Sequence, residues 1–211
     1  MLTLYYAPGA CSMASHIALE EVGVAFTPRL VQFAKAEQQS PEYRGTVNPR
    51  GKVPALHTED GIITENVAIL TYVARTFPDA KLLPTDTLGL VRCLSHMAYL
   101  SNAVHPTFTR IARTERFAKS EAAQQEIKSA AREAFWGLLQ ELEGIIDGHD
   151  WVMGGHYTAC DPYTLVFYGW GMRIGLPVKE LKSYTGFKER MVKRPAVRKV
   201  LEREQSVLLQ G

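Results

Sequence analysis

The stretch LTLYYAPGACS, residues 2–12, determines how the chain begins to fold. Its first five residues form a short apolar run that predicts a buried β-strand, and the Ala-Pro-Gly-Ala segment after them predicts a loop. A helix is expected next, because apolar residues recur at helical spacing as far as Gly23, which predicts its C-terminal end. Cys11 therefore stands between a strand and the first turn of a helix.

The position of Cys11 favours a chemical role for its thiol. Backbone amides at a helix N-terminus favour negative charge, so we expect a lowered thiol pKa there. The alternative is a small buried apolar residue, which is what a free cysteine usually is. Residue 14 is alanine, so no neighbouring thiol could resolve a mixed disulfide at Cys11. Any redox cycle would need an external thiol, which indicates a small thiol cofactor.

The segments after this helix complete a small α/β unit. Residues 26–32 predict a second strand, and Pro28 favours a sheet edge because proline cannot donate a ladder hydrogen bond. Residues 53–57 and 61–64 predict a hairpin, and a helix is expected over 65–77. The predicted order is β-α-β followed by β-β-α.

The pattern of the sequence changes after these elements. Period-two alternation disappears, and long helices are expected over 88–113 and 120–147, with three shorter ones after them. The fold class is therefore α/β plus all-α. We predict an α/β domain over residues 1–78, a linker over 79–87 and an all-helical domain over 88–211.

Composition and charge exclude several classes of function. The chain has 211 residues, of which 46% are hydrophobic and 22% charged, as in an ordinary globular protein. A net charge of +2 with interleaved signs gives no reason to expect a nucleic-acid or membrane partner. We see no signal peptide and no apolar span, and we expect a cytoplasmic protein.

The cysteines and histidines point to neither disulfides nor a metal. Three cysteines make an odd and sparse set, which fits a reducing compartment, and Cys93 and Cys160 are predicted to lie in the core. The six histidines show no spacing typical of metal ligands, so no metal is expected.

Two turns that precede predicted elements could meet a ligand. Pro54 could form a cis peptide with Val53, although a trans proline that begins a strand is the simpler interpretation. Residues 64–66, Thr-Glu-Asn, open a helix whose free amides and polar side chains suit the carboxylate and amine of a γ-glutamyl group. Ordinary helix capping explains the same three residues.

The helical half offers further candidates. His105 precedes Pro106, and we expect this proline to kink the helix. Such a kink could direct the His105 imidazole into a cleft. A solvated or hydrogen-bonded histidine is the simpler interpretation. Thr158 and Asp161 have the spacing of a capping box, which predicts a structural role. The aromatic residues over 163–170 are predicted to be core, with one or two facing a cleft.

These motifs together resemble the bacterial beta-class glutathione S-transferases over nearly the whole chain. The matching motifs are LYYAPGACS at 4–12, NPRGKVPAL at 48–56, TENVAI at 64–69, VH at 104–105 and YTACD at 157–161. The first three occur in the family's order at near-family spacing and are specific in combination. The resemblance implies a thioredoxin-like N-terminal domain, an all-helical C-terminal domain and a homodimer.

The resemblance also implies a site for glutathione as co-substrate. Cys11 would lie at the glutathione sulfur, with Tyr6 close by and His105 reaching in from the helical domain. The Val53 backbone beside a cis Pro54 would hold the tripeptide. The implied glutathione-binding residues are Val53, Pro54, Glu65, Asn66, Lys52 and Lys35, with Glu65 and Asn66 at the γ-glutamyl end and Lys35 at the glycine carboxylate.

The implied function is conjugation of glutathione to a hydrophobic electrophile, with thiol–disulfide exchange through Cys11 as a second activity. Two alternatives stay open: a non-enzymatic binding or regulatory protein of the same fold, and a specialised glutathione-dependent dehalogenase or isomerase. Ala98 and Pro106 stand where the family often has Asn and Lys, and Lys52 stands where Gln is common. These departures concern the electrophile pocket and His105 more than glutathione binding.

Overall fold

The computed structural model of the protein describes residues 1–210. The N-terminal elements are strand β1 (Leu2–Tyr6), helix α1 (Ser12–Glu21), strand β2 (Phe26–Leu30), helix α2 (Pro41–Thr46), strands β3 (Ala55–Thr58) and β4 (Gly61–Thr64), and helix α3 (Asn66–Thr76). The later elements are helices α4 (Thr87–Tyr99), α5 (His105–Ala112), α6 (Glu121–Ile146), α7 (Cys160–Arg173), α8 (Lys182–Lys193) and α9 (Pro195–Arg203).

The four strands form one mixed sheet in the order β2-β1-β3-β4. Strand β1 is parallel to β2 and antiparallel to β3, with Leu4 opposite both Pro28 and Leu56. The prediction that Pro28 lies in an edge strand is confirmed, because β2 is the first strand of this order and pairs with β1 on one side. This sheet and its helices are the thioredoxin-like arrangement that the resemblance implies.

Helix α1 lies between the sheet and the helical half of the protein. It contacts β1 and α3 on one side and α7 and α9 on the other. Its residues from Ser12 to Leu19 are all buried, and Ile17 belongs to a single core that also includes Leu4 and Phe167. Helix α1, which follows Cys11, is therefore held from both halves of the chain.

The long helix predicted over 88–113 is interrupted. Helix α4 ends at Tyr99, a π-helical turn covers Leu100–Val104, and α5 begins at His105. Pro106 explains the break, because it has no N–H to donate to a carbonyl one turn earlier. The widened turn places His105 at the start of a new helix, and the helix predicted over 120–147 is present as α6.

A buried capping box fixes the start of α7. The Thr158 amide donates to the Asp161 carboxylate over 2.6 Å, and the Cys160 amide donates to the Thr158 hydroxyl over 3.3 Å. The second oxygen of the carboxylate accepts from the Val152 amide at 2.9 Å. These bonds satisfy helix-end donors and agree with the structural role predicted for Asp161. The same helix carries Trp170 to the cleft described next.

Candidate functional site

A cleft of about 810 Å³ separates the sheet end of the molecule from helices α5 and α7. One wall is formed by the loop between β1 and α1, the turn before β3 and the first turn of α3. The opposite wall is formed by α5, the turn that follows it, and α7. Lining residues from the first wall include Cys11, Lys52, Val53, Pro54, Glu65 and Asn66, and those from the second include His105, Phe108, Tyr163 and Trp170.

Cys11 lies at the N-terminal end of α1 and is only 8% exposed. Its Sγ donates to the Val53 carbonyl oxygen at 3.7 Å. Burial, with a smaller contribution from the nearby Glu65 carboxylate, raises the pKa of the Cys11 thiol to about 12. The predicted lowering of this pKa is therefore wrong, because removing the thiolate from water outweighs the favourable helix start. Cys11 is a protonated donor at neutral pH.

The turn that faces Cys11 contains a cis peptide between Val53 and Pro54, as the resemblance implies. The Tyr43 hydroxyl and the Asn48 side-chain amide both donate to the Lys52 carbonyl at 2.9 Å, which fixes the turn. Among residues 1–210, no acceptor is found for the Val53 amide N–H. That backbone edge is therefore available to a ligand in the cleft.

Glu65 and Asn66 play different parts at the start of α3. Glu65 has φ 70° and ψ 130°, an uncommon conformation for a residue other than glycine, and it lines the cleft. The Asn66 side-chain amide donates to the Cys11 carbonyl at 2.9 Å, and its oxygen accepts from the Ser15 hydroxyl at 2.7 Å. The Asn66 side chain thus joins α3 to α1 within the protein.

His105 reaches the cleft from the start of α5. Its ring makes an edge-to-face contact with Trp170 at 4.9 Å, and Phe108 stacks on the same indole at 4.2 Å. Burial lowers the pKa of His105 to about 4, and the nearby Lys52 ammonium contributes in the same direction. His105 is therefore a neutral imidazole in an aromatic wall, and Trp170 and Tyr163 are the predicted aromatics that face a cleft.

Two residues expected at the site are not brought to it. Tyr6 is directed toward α1, where its ring packs on His16 at 4.7 Å, because alternate residues of β1 face that helix. Burial, with a contribution from the Glu204 carboxylate, raises the pKa of its hydroxyl. Lys35 is exposed at the end of a short 3₁₀ turn, from which Phe33 lines the cleft instead.

The structure adds a basic segment that sequence reasoning missed. Arg110, Arg113 and Arg116 line the cleft from the end of α5 and the turn after it, together with Phe117. A three-residue spacing of arginines at the end of a predicted helix is the signal that could have drawn attention to them. Within residues 1–210 there is no group of three metal-ligating side chains and no helix long and apolar enough to cross a membrane.

Comparison with known proteins adds a set of relatives. Residues 1–75 match the family described as glutathione S-transferase, N-terminal domain. Glutathione S-transferase GstA of Escherichia coli O157:H7 is 32% identical over 205 residues, which is 96% of this chain and 98% of that protein.

Solved structures of similar proteins cover the chain as fully. A Sulfitobacter glutathione transferase homologue with bound glutathione is 35% identical with a TM-score of 0.91 and covers 96% of this chain and 98% of its own. A bacterial beta-class enzyme from Sphingomonas chungbukensis is 34% identical with a TM-score of 0.84, over the same shares of the two chains.

Proposed function

The chain belongs to the glutathione S-transferase family, in its bacterial beta class, and from this premise we propose how the cleft conjugates glutathione to a hydrophobic electrophile. One observation carries the proposal: the Cys11 Sγ lies 3.7 Å from the Val53 carbonyl, on a backbone edge that lines the cleft. An extended peptide can hydrogen-bond to such an edge as an added strand does. A cysteinyl residue held there has its sulfur next to Cys11.

The start of α3 supports a place for the γ-glutamyl end. The first amides of this 11-residue helix have no partner within the helix, and they favour the α-carboxylate of the ligand. The Glu65 carboxylate lines the same end of the cleft and suits the ammonium group. Lys52 supplies a cation for the other carboxylate of glutathione, and Lys35 is left out of the proposed contacts because it does not line the cleft.

The raised pKa of Cys11 supports conjugation rather than thiol exchange as the principal reaction. A neutral Cys11 thiol can donate a hydrogen bond to the glutathione thiolate, whereas two adjacent thiolates would repel. The glutathione thiolate attacks the electrophilic carbon, and a carbon–sulfur bond forms. The leaving group departs with the electron pair of its broken bond, and the thiol proton of glutathione passes to solvent.

The opposite wall supports an apolar place for the electrophile. Phe108 and Trp170 form a stacked pair, and the neutral His105 ring extends it. Such walls bury the aromatic part of a small ligand, while the few polar groups of the cleft fix its orientation. We propose that the electrophile binds against this wall, next to the glutathione sulfur.

We also propose that the protein is a homodimer. Leu88 and Val91 of α4 are 59% and 53% exposed, and large exposed apolar side chains on one helix are typical of a contact surface. Light scattering should give a mass near twice the 23.6 kDa of one chain, and a mass near one chain would contradict the dimer.

Kinetics and mass measurement together test the function. With glutathione and 1-chloro-2,4-dinitrobenzene, we expect turnover by the wild type and a lower kcat for Cys11→Ala, because the thiol donor is lost. Glu126→Gln, on the exposed surface of α6, is the control and should match the wild type. A wild type with no turnover, or a Cys11→Ala variant with unchanged kcat, would contradict the proposed mechanism.

The thiol-exchange branch is tested separately. After incubation with oxidised glutathione, the mass of the wild type should remain largely that of the unmodified chain, because a protonated thiol is a poor nucleophile. Rapid gain of one glutathione by the wild type, and none by Cys11→Ala, would instead favour exchange at Cys11.

A further inference from the structure

The cleft is much more basic than the chain as a whole. Its charged lining residues are the acidic Glu65 and the basic Lys52, Arg110, Arg113, Arg116 and Arg173. The whole chain has 24 basic and 22 acidic residues, so the excess of positive charge is concentrated at this cleft. Several positive charges around a low-dielectric cleft attract anions to it.

Glutathione accounts for only part of this charge. Lys52 and Glu65 lie on the wall proposed for the tripeptide, which brings two carboxylates and one ammonium. Arg173 lies against the loop before Cys11, since a Cβ atom added to Gly9 would come within 1.8 Å of the Arg173 guanidinium. The Glu204 carboxylate interacts with the charge of this guanidinium. Arg110, Arg113 and Arg116, the arginine cluster, remain on the opposite wall.

Within the described part of the chain, the arginine cluster has no acidic partner. Among residues 1–210, no salt bridge involves any of its three members, and all three side chains are exposed. The Arg110 guanidinium lies 5.8 Å from the centre of the Phe117 ring. These guanidinium groups are therefore available to bind a negatively charged group of a ligand, such as a carboxylate.

Aromatic surface accompanies the charge. Phe117 and Phe33 line the same cleft from its two walls and are 48% and 36% exposed. Exposed phenyl groups beside a cleft offer stacking surface to an aromatic ring. The combination of rings with unpaired guanidinium groups suits a planar aromatic ligand that carries a negative charge.

We propose that the preferred electrophile is an aromatic acid whose ring lies on the wall of Phe108 and Trp170 already proposed for the electrophile, beside Phe117, with its carboxylate or sulfonate at the arginine cluster. The inference rests on the proposed transferase function and names the substrate class for it. The arginines act as specificity-determining residues, since they contact a part of the electrophile remote from the reacting carbon.

The test compares two aryl chlorides that differ in charge. At saturating glutathione and low ionic strength, kcat/KM is measured for 4-chloro-3,5-dinitrobenzoate and for neutral 1-chloro-2,4-dinitrobenzene. In the Arg110→Gln/Arg113→Gln/Arg116→Gln variant we expect the ratio of the two values to fall roughly tenfold, which corresponds to about 1.4 kcal/mol. The wild-type ratio should also fall as salt rises from about 0.02 M to about 0.5 M.

A matched variant controls for loss of charge. Arg75→Gln/Lys128→Gln/Lys193→Gln removes three exposed charges that do not line the cleft, and its ratio should stay at the wild-type value. If the triple variant folds poorly, the same ratio of kcat/KM values is measured for the single variant Arg113→Gln, where it should also fall. An unchanged ratio in both arginine variants, or an equal fall in the control, overturns the inference. A wild type that turns over neither compound overturns the proposed transferase function instead.

Discussion

Replacing Asn66 by Ala should destabilise the protein by about 2–4 kcal/mol. The side chain is 5% exposed and bridges the Ser15 hydroxyl and the Cys11 carbonyl. The carbonyl keeps its bond from the Ala14 amide at 3.1 Å, so it loses one net hydrogen bond, about 1 kcal/mol. The Ser15 hydroxyl, which is fully buried, is left without its partner and costs about 1–3 kcal/mol more.

A double-mutant cycle with Ser15→Ala checks this reasoning. Each single variant leaves one buried polar group unpaired, whereas the double variant removes the pair together. The double variant should therefore lose less stability than the sum of the singles, by roughly 1–2 kcal/mol. Urea unfolding at a fixed protein concentration, followed by tryptophan fluorescence, measures all four free energies. A cost below about 0.5 kcal/mol for Asn66→Ala, or strictly additive costs, would refute the role of this bridge.

Three further predictions concern the site. Gly9 and Gly23 both have φ 68°, so replacing either by Ala should lower the free energy of unfolding by about 1 kcal/mol. Only the Gly9→Ala side chain would clash with the Arg173 guanidinium, and only this variant should also bind glutathione more weakly. Equal glutathione binding by the two variants would contradict this reasoning. Because its pKa is about 4, His105 gains a proton only near pH 4, and ¹⁵N NMR should show a neutral ring at about pH 6. A titration midpoint of this ring near about pH 6.5 would contradict the low pKa. Alkylation of Cys11 by iodoacetamide should be slow at about pH 7 and still rising at about pH 10, because the thiolate is scarce; a plateau below about pH 9 contradicts the high pKa.

The sequence predicts the fold where the signal is local. Pro28 could only occupy an edge strand or a strand end, because it lacks a ladder donor, and β2 is an edge strand. The strand, loop and helix around Cys11 follow from the spacing of the apolar residues and from the Pro-Gly pair in the loop, and the structure contains each of them. Pro106 predicted a disturbance in its helix, and the π-helical turn over Leu100–Val104 is the form that it takes.

The parts that failed depend on distant packing. The predicted thiolate character of Cys11 considered its own helix, but the thiol is buried beside Val53 and Glu65, which lie more than 40 residues away in the sequence. The resemblance implies Tyr6 beside the glutathione sulfur, yet strand alternation turns its side chain toward His16. No local pattern reports such neighbours, and none indicated that Arg110 and its neighbours would face the same cleft as Glu65.

Binding of glutathione in the cleft is the central claim, and titration calorimetry tests it most directly. Reduced glutathione should bind the wild type with one site per chain, and Glu65→Gln should bind at least about tenfold more weakly, since the carboxylate proposed to meet the ligand ammonium is lost. The exposed control Glu126→Gln should bind as the wild type does. Absence of binding by the wild type, or equal affinity of all three proteins, would contradict the placement of glutathione between Cys11, Val53 and Glu65.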